Sequence, residues 1–239
     1  MRHLINVMKL ICRELVDILE CLLRYYPGKI GYLLRWGYYK LRLKHLGRKV
    51  RFFPGVRIVG PRYISIGDTS TLAYGCTLVA GPVNTGQEKG AEYRVRPNPH
   101  FDHRPGEIVI GKCVYLSQNC YILGNGGVQI DDYCCCAMDN SIISMSNHYA
   151  SFKEPDNRTI FFTHRAGSEH ECYLLSPVVL KRNVGVAARC VLLPGATVLE
   201  DSFIGVGSVV YHATVGPNQI ASGNPAVFVR ERYRAKATS

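Results

Sequence analysis

Between residues 180 and 215 an aliphatic side chain returns every sixth position, at Leu180, Val186, Leu192, Val198, Ile204 and Val210. Four residues after each stands a compact one: Val184, Cys190, Ala196, Ser202, Ser208 and Thr214. A period of six matches neither the 3.6 of a helix nor the 2 of a flat strand. It fits a solenoid of three short strands per turn, with one buried residue per side of a triangular coil. The fold class predicted is an all-β solenoid.

The same phase is legible upstream, at Ile66, Leu72 and Leu78, at Ile110, Leu116 and Ile122, and at Ile130, Cys136 and Ile142. Residues 53–60 are the expected start of the coil. Residues 81–106 and 148–177 interrupt it with long polar stretches, and Gly124-Asn125-Gly126-Gly127 makes a smaller excursion. Loops of that length in a compact domain call for a role, and ligand-contacting loops commonly leave a regular scaffold in this way. Gly67, Gly75, Gly111, Gly185, Gly195, Gly205 and Gly207 are expected near corners, where left-handed backbone angles suit glycine.

The first residues follow another period. Leu4, Val7, Met8, Ile11, Leu15, Ile18, Leu19 and Leu22 have helical spacing, which predicts a helix over 3–25 ended by Pro27-Gly28. A second helix is expected over 30–46. Neither offers eighteen uninterrupted apolar residues, so a membrane span is not expected. The division expected is a helical segment 1–50, a coil 51–230 and a tail 231–239, the tail a short helix or frayed end.

Charge changes the picture at one place only. The chain carries 29 Lys and Arg against 18 Asp and Glu, and 12 of those cations with 3 of the acids lie in the first 51 residues. The excess therefore belongs to the helices rather than to an exposed repeat face, which argues against nucleic-acid binding. Apolar bulk, aromatics and cations together suit a peripheral contact with an anionic membrane surface. Packing of both helices on the coil or on a sister subunit explains the same residues.

Of ten cysteines, Cys76, Cys120, Cys134 and Cys190 fall on the compact position and Cys136 on the aliphatic one. Reduced cysteine packs as a small hydrophobe, which fits a cytoplasmic protein without a secretion signal. Cys134-Cys135-Cys136 does not suggest a metal site, since neighbouring side chains in a strand point to opposite faces.

The run Val184-Gly185-Val186-Ala187-Ala188, the run Leu193-Pro194-Gly195-Ala196-Thr197, the run Ile204-Gly205-Val206-Gly207-Ser208 and the ending Ala221-Ser222-Gly223-Asn224-Pro225-Ala226 resemble those of the hexapeptide-repeat acyltransferases. The branch most similar acetylates galactosides, maltose and surface sugars. The resemblance covers residues 57–230 and implies a left-handed parallel β-helix, a homotrimer and acetyl-CoA as cosubstrate, with no metal. It implies His148, at the head of the second insertion, as general base toward a saccharide hydroxyl, and a lipid-linked saccharide suits the basic N-terminus. Candidate acceptor contacts are Asn147, Asp139, Asn140, Tyr93, His100 and Asp102. Candidate coenzyme contacts are Gly185, Ala188, Gly205, Gly207 and Ser208. Where relatives place Thr-Lys-Asp, this chain has Tyr211-His212-Ala213, so Arg230, Lys181 or Arg182 is left to meet the phosphates.

A carboxylate or a backbone carbonyl is expected to orient the His148 ring, with Glu154, Asp156, Glu169 and Glu171 in the same loop. Other readings are a serine or amino-sugar acetyltransferase, a noncatalytic scaffold, and a zinc enzyme using His100, His103, His148, His164 and His170.

Overall fold

The computed structural model describes residues 2–83, 90–163 and 165–233, with the side chains of 2–7 and 9–13 left aside. Three parallel sheets form the sides of a triangular coil, and their registers stack the sixth-position residues directly. Leu46, Ile66, Ile110, Ile130, Leu180, Val198 and Val215 are aligned on the first face. Phe52, Leu72, Leu116, Cys136, Val186, Ile204 and Ala221 are aligned on the second. Ile58, Leu78, Ile122, Ile142, Leu192 and Val210 complete the third. All of them are buried in one continuous core.

The coil starts two strands before its expected beginning. The second helix ends at Arg42, and His45–Leu46 is already a strand of the first face. Lys44 donates its backbone N–H to the Ile64 carbonyl at 3.0 Å, so the chain enters the ladder directly after the helix. At the far end Gln219–Gly223 is still a strand of the second face, and Ala226–Glu231 returns antiparallel to it. Of the expected tail, residues 234–239 lie outside the described ones.

Every compact position up to Ser208 is buried, and many of them also donate a hydrogen bond along the coil axis. Ser70 Oγ reaches the Gly111 carbonyl at 2.8 Å and Ser202 Oγ the Gly216 carbonyl at 2.6 Å. The thiols of Cys76, Cys134 and Cys190 reach the carbonyls of Ser117, Lys181 and Gly205, each at 3.0 Å. The site selects a small donor, which serine and cysteine both supply. Burial pushes the Cys134 thiol up to about 12 and that of Cys136 well above its ordinary range. These thiols stay protonated and make poor nucleophiles. The described cysteines are all free.

Thr214 breaks the pattern. Val215, not residue 216, aligns with Val198, so the last turn is one residue short and Thr214 sits in the strand, exposed.

The corners are built mainly from non-glycine residues. Lys49, Thr69, Cys113, Asn119, Tyr133, Asp139, Asn183, Arg189, Asp201 and Asn218 all take φ between 56° and 64°. Each stands three residues before an aligned core residue, and the amides of all but Lys49 bond a carbonyl of the preceding turn. Of the glycines expected there, Gly75, Gly195 and Gly207 have positive φ. Gly67 and Gly111 serve another need, because a Cβ on Gly67 would lie 2.6 Å from the Gly111 carbonyl carbon.

Two helices, α1 (Arg2–Tyr25) and α2 (Gly28–Arg42), close the first end of the coil. Arg35 fastens them. Its side chain is 1% exposed and donates to the carbonyls of Phe52 (2.8 Å), Leu23 (3.0 Å) and Tyr26 (2.7 Å). No helix among the described residues is long and apolar enough to cross a membrane.

Candidate active site

Spacing along the coil shows where function has been added. The aligned residues of the first and second faces, and of the second and third, always lie six apart. From the third face back to the first the interval varies: Ile58 to Ile66, Leu78 to Ile110, Ile122 to Ile130, Ile142 to Leu180, Leu192 to Val198. Both long insertions leave from this one corner. There they meet in a small sheet of their own. Cys172–Leu175 pairs in parallel with Glu92–Val95 of the first insertion and antiparallel with Met145–Asn147.

His148 follows directly on that last strand, and its backbone N–H donates to the Cys172 carbonyl at 2.7 Å. Its ring is set by three neighbours. Nδ1 lies 2.8 Å from the Ala150 carbonyl oxygen, the Tyr149 ring stacks at 4.5 Å between centroids, and the Phe152 ring leans at 4.3 Å. A carbonyl can only accept, so the 2.8 Å bond places the ring proton on Nδ1. The contact from the Ala150 amide to the same nitrogen is longer, at 3.4 Å, and would need the opposite tautomer; the shorter bond decides. Nε2 is then left with its lone pair.

A second layer fixes the first. The Arg94 guanidinium sits over the Phe152 ring, 4.1 Å from its centroid. Ser151 donates to Glu92 Oε2 at 2.7 Å and accepts the backbone N–H groups of Lys153 and Glu154, which bends the loop just after His148. Tyr173 is buried, stacks on Tyr93 at 5.5 Å, and donates its hydroxyl to the buried Glu171 carboxylate at 2.8 Å. The orienting partner of His148 is thus the carbonyl two residues on. None of the four loop carboxylates takes that place.

An open cavity of about 520 Å³ lies in the same loop, lined by Tyr149, Ala150, Pro155, Asp156, Asn157, Arg158 and Ile160, and its wall Tyr149 is the ring that stacks on His148. Asn147 is exposed beside it in sequence, and its amide has no hydrogen-bond partner among the described residues.

The other expected acceptor residues divide. Tyr93 belongs to the small sheet, and His100 is half-buried with its N–H bound to Asn98 Oδ1 at 3.0 Å. Asn98 in turn bridges the Pro177 carbonyl and Thr197 Oγ1, pinning the first insertion to the coil. The coil itself takes up Asp139 and Asn140. Asp139 forms the corner between the second and third faces and accepts from Asn119 at 3.1 Å. Asn140 is buried, accepting the Cys190 N–H at 2.7 Å and donating to the Ala137 carbonyl at 2.9 Å, so its amide does not face a ligand.

Asp102 and Lys181, expected at opposite ends of the site, hold one another. Lys181 Nζ lies 3.3 Å from Asp102 Oδ2 and 3.8 Å from Asp131 Oδ2. The Gln129 amide and then Lys181 hold the Asp102 carboxyl below the usual range. With a lowered folded value, this clasp is complete above the ordinary carboxylate pKa and is released as pH falls through the lowered one. Lys181 therefore offers no free charge for a phosphate.

Among the expected coenzyme contacts, Ala188, Gly205 and Gly207 line the corner between the second and third faces, where the Gly207 N–H bonds the Ala188 carbonyl, while Gly185 lies in a strand of the second face beside Phe203. Ser208 is internal: its hydroxyl donates to the Gly205 carbonyl at 2.6 Å and accepts the Gly223 N–H at 3.0 Å. Arg182 lies at another corner, over the Tyr133 ring. Arg230 is exposed on the returning strand. Unanticipated is Arg189, next to Ala188 at the glycine-lined corner, its side chain 79% exposed and 3.9 Å from Asp139.

Among the described residues no group of three or more His, Cys, Asp or Glu is arranged to hold a metal ion. His164 lies outside the described residues.

No family model matches the chain. In sequence it is similar to the galactoside O-acetyltransferase of Escherichia coli (strain K12), 28% identical over 137 residues, which are 57% of this chain and 60% of that protein. The chain thus spans less than two thirds of that relative. In structure it is similar to AntD, an N-acyltransferase from Bacillus cereus solved with dTDP and 3-hydroxybutyryl-CoA, at a TM-score of 0.64 and 15% identity over 88% of this chain and 91% of the other. A maltose O-acetyltransferase from Clostridium difficile 630 superposes at 0.55 with 16% identity over 93% and 87%. The fold is the left-handed parallel β-helix of the hexapeptide-repeat proteins.

Proposed function

We propose that the chain is an acyltransferase that moves an acetyl group from acetyl-CoA to a saccharide hydroxyl, with His148 as general base. The observation that carries this reading is the fixed ring: Nδ1–H donates to the Ala150 carbonyl, Nε2 keeps its lone pair, and the residues that follow in the same loop line an open polar cavity.

A sugar hydroxyl is a weak nucleophile at neutral pH. Nε2 takes its proton as the oxygen attacks the thioester carbonyl, giving a tetrahedral intermediate and an imidazolium. Collapse of the intermediate breaks the carbon–sulfur bond, and the imidazolium returns the proton to the leaving thiolate. The Ala150 carbonyl stabilises the imidazolium and keeps the ring from turning. No acyl-enzyme is needed.

The smooth corner at Ala188, Gly205 and Gly207 suits the thin pantetheine arm, and Arg189 is the cation best placed for its phosphates. That corner and the corner bearing His148 are separated by the whole third face. At about 3.3 Å per residue, a side of six residues is up to roughly 20 Å. In a threefold assembly the histidine loop of one subunit would reach the coenzyme corner of the next, as the closed symmetry of such oligomers allows. The acceptor is read as a surface-polysaccharide or lipid-linked saccharide, met by Asp156 and Arg158 in the cavity and by Asn147 at the head of the loop.

The test is a screen of acyl-CoA donors against sugar hydroxyl and amino-sugar acceptors, using the protein and His148→Ala. Acetyl transfer is expected to fall by about 10²–10⁴, with CoA binding and assembly mass retained. Undiminished turnover in the folded variant removes His148 from the chemistry. Preference for the amine would assign the acceptor to the amino-sugar class.

A further inference from the structure

Helix α2 is mounted with its usual sides exchanged. Its inward face is Gly31, Arg35 and Tyr39, all buried. Its outward face is Ile30, Leu33, Leu34 and Leu41, with Leu33 72% and Leu41 89% exposed. Gly37 lies in the middle of that face, and a side chain added there would meet nothing within 4 Å. Helix α1 repeats the arrangement, with Leu15, Ile18, Leu19 and Leu22 at helical spacing and all exposed. Two adjoining helices with apolar faces turned to solvent require a cover.

The charges beside them indicate which cover. A groove of about 720 Å³ opens between α2 and the first turn of the coil, lined by Lys29, Tyr32, Leu33, Trp36, Lys49, Val50 and Arg51. Lys29, Lys49 and Arg51 are exposed and have no acidic partner among the described residues, whereas nearby Arg42, Lys44 and Arg48 are paired with Glu20, Glu107 and Asp68. A second copy of this face would bring like charges together. A leaflet of anionic lipid instead supplies apolar cover for the leucines and counter-charge for the three cations.

We infer that α2, its groove and the exposed stripe of α1 form a docking surface for an anionic membrane, holding the coil at the bilayer without crossing it. This does not depend on the acetyl-transfer reading, and its test involves no turnover.

Trp36 is the only tryptophan of the chain and lines the groove, so its fluorescence reports on this face alone. The full chain is titrated with vesicles of phosphatidylcholine containing 30% phosphatidylglycerol and with vesicles of phosphatidylcholine only. Expected are a blue shift of Trp36 and co-sedimentation with the anionic vesicles, weakened by salt. Each cation near the surface is worth about fivefold in binding. The variant Lys29→Gln/Lys49→Gln/Arg51→Gln should therefore bind roughly a hundredfold more weakly. These exposed side chains are not part of the core, and an unchanged melting temperature checks that the variant folds. Leu33→Ser/Leu41→Ser should lose the blue shift. Equal binding to neutral vesicles, wild-type binding by the triple variant, or no change in Trp36 would overturn the inference. So would variants that leave vesicle binding intact but lower the assembly mass, which would assign the face to contacts between copies.

Discussion

Two corners of the coil hold every turn to six residues, while the third passes from five residues to thirty-eight. The first two are ruled by stacking. Each corner residue after Lys49 donates its N–H to the turn before, so an added residue would break a ladder on both sides. At the third corner the chain leaves and returns in register, as Leu180 aligns with Ile130 after the second insertion. The difference separates two tasks. Stability lies in the counted corners and their core, and chemistry lies in what the uncounted corner holds out.

That separation can be tested by variants that should affect one side and spare the other. The largest expected effect on the coil side is Ile130→Ala, which removes a fully buried side chain from the first face. A loss of about 2–5 kcal/mol is expected in denaturant unfolding, with turnover per folded molecule little changed. A matching collapse of turnover would mean that the coil tunes the site as well as carrying it. On the other side, Arg94→Gln and Phe152→Leu should leave the melting temperature almost unchanged. They should lower the rate about tenfold, within the range attributed to a well-held base, because they loosen the packing on His148. The effect should fall on kcat more than on KM; equal loss of stability would make these residues structural. The smallest effect tests the corners. Thr69 is β-branched and held at φ 59°. Thr69→Gly relieves a left-handed residue at the cost of chain entropy, so a gain of up to about 1 kcal/mol is expected. A clear loss would show that the hydrogen bond between the Thr69 hydroxyl and the Cys113 thiol, at 3.0 Å, matters more than its backbone angle.

The counted corners were legible in the sequence and the third was not, for a physical reason. A six-residue period is local, so Leu180, Val186 and Leu192 announce their own alignment, and the burial of Cys76, Cys120 and Cys190 follows from phase. The first two strands escaped notice because Leu46 and Phe52 follow a helix whose pattern runs into them. The small sheet was invisible because Glu92–Val95 and Cys172–Leu175 are four residues each and lie in different insertions. His148 was singled out by its place at the head of a loop. Its partner was not, because a backbone carbonyl leaves no mark on a sequence. Helix α2 teaches the reverse lesson: its apolar stripe was plain, but period alone does not say which way a stripe points.

Pairing between the two insertions has a mechanical consequence. Residues 92–95 are hydrogen-bonded to 172–175, and 172–175 to the strand that ends at His148. A ligand that shifts the first insertion by a fraction of an ångström therefore moves the imidazole too, through three strands with little slack. The first insertion and the His148 ring thus travel as one lever, with Asn98 bolted to the coil as its fulcrum.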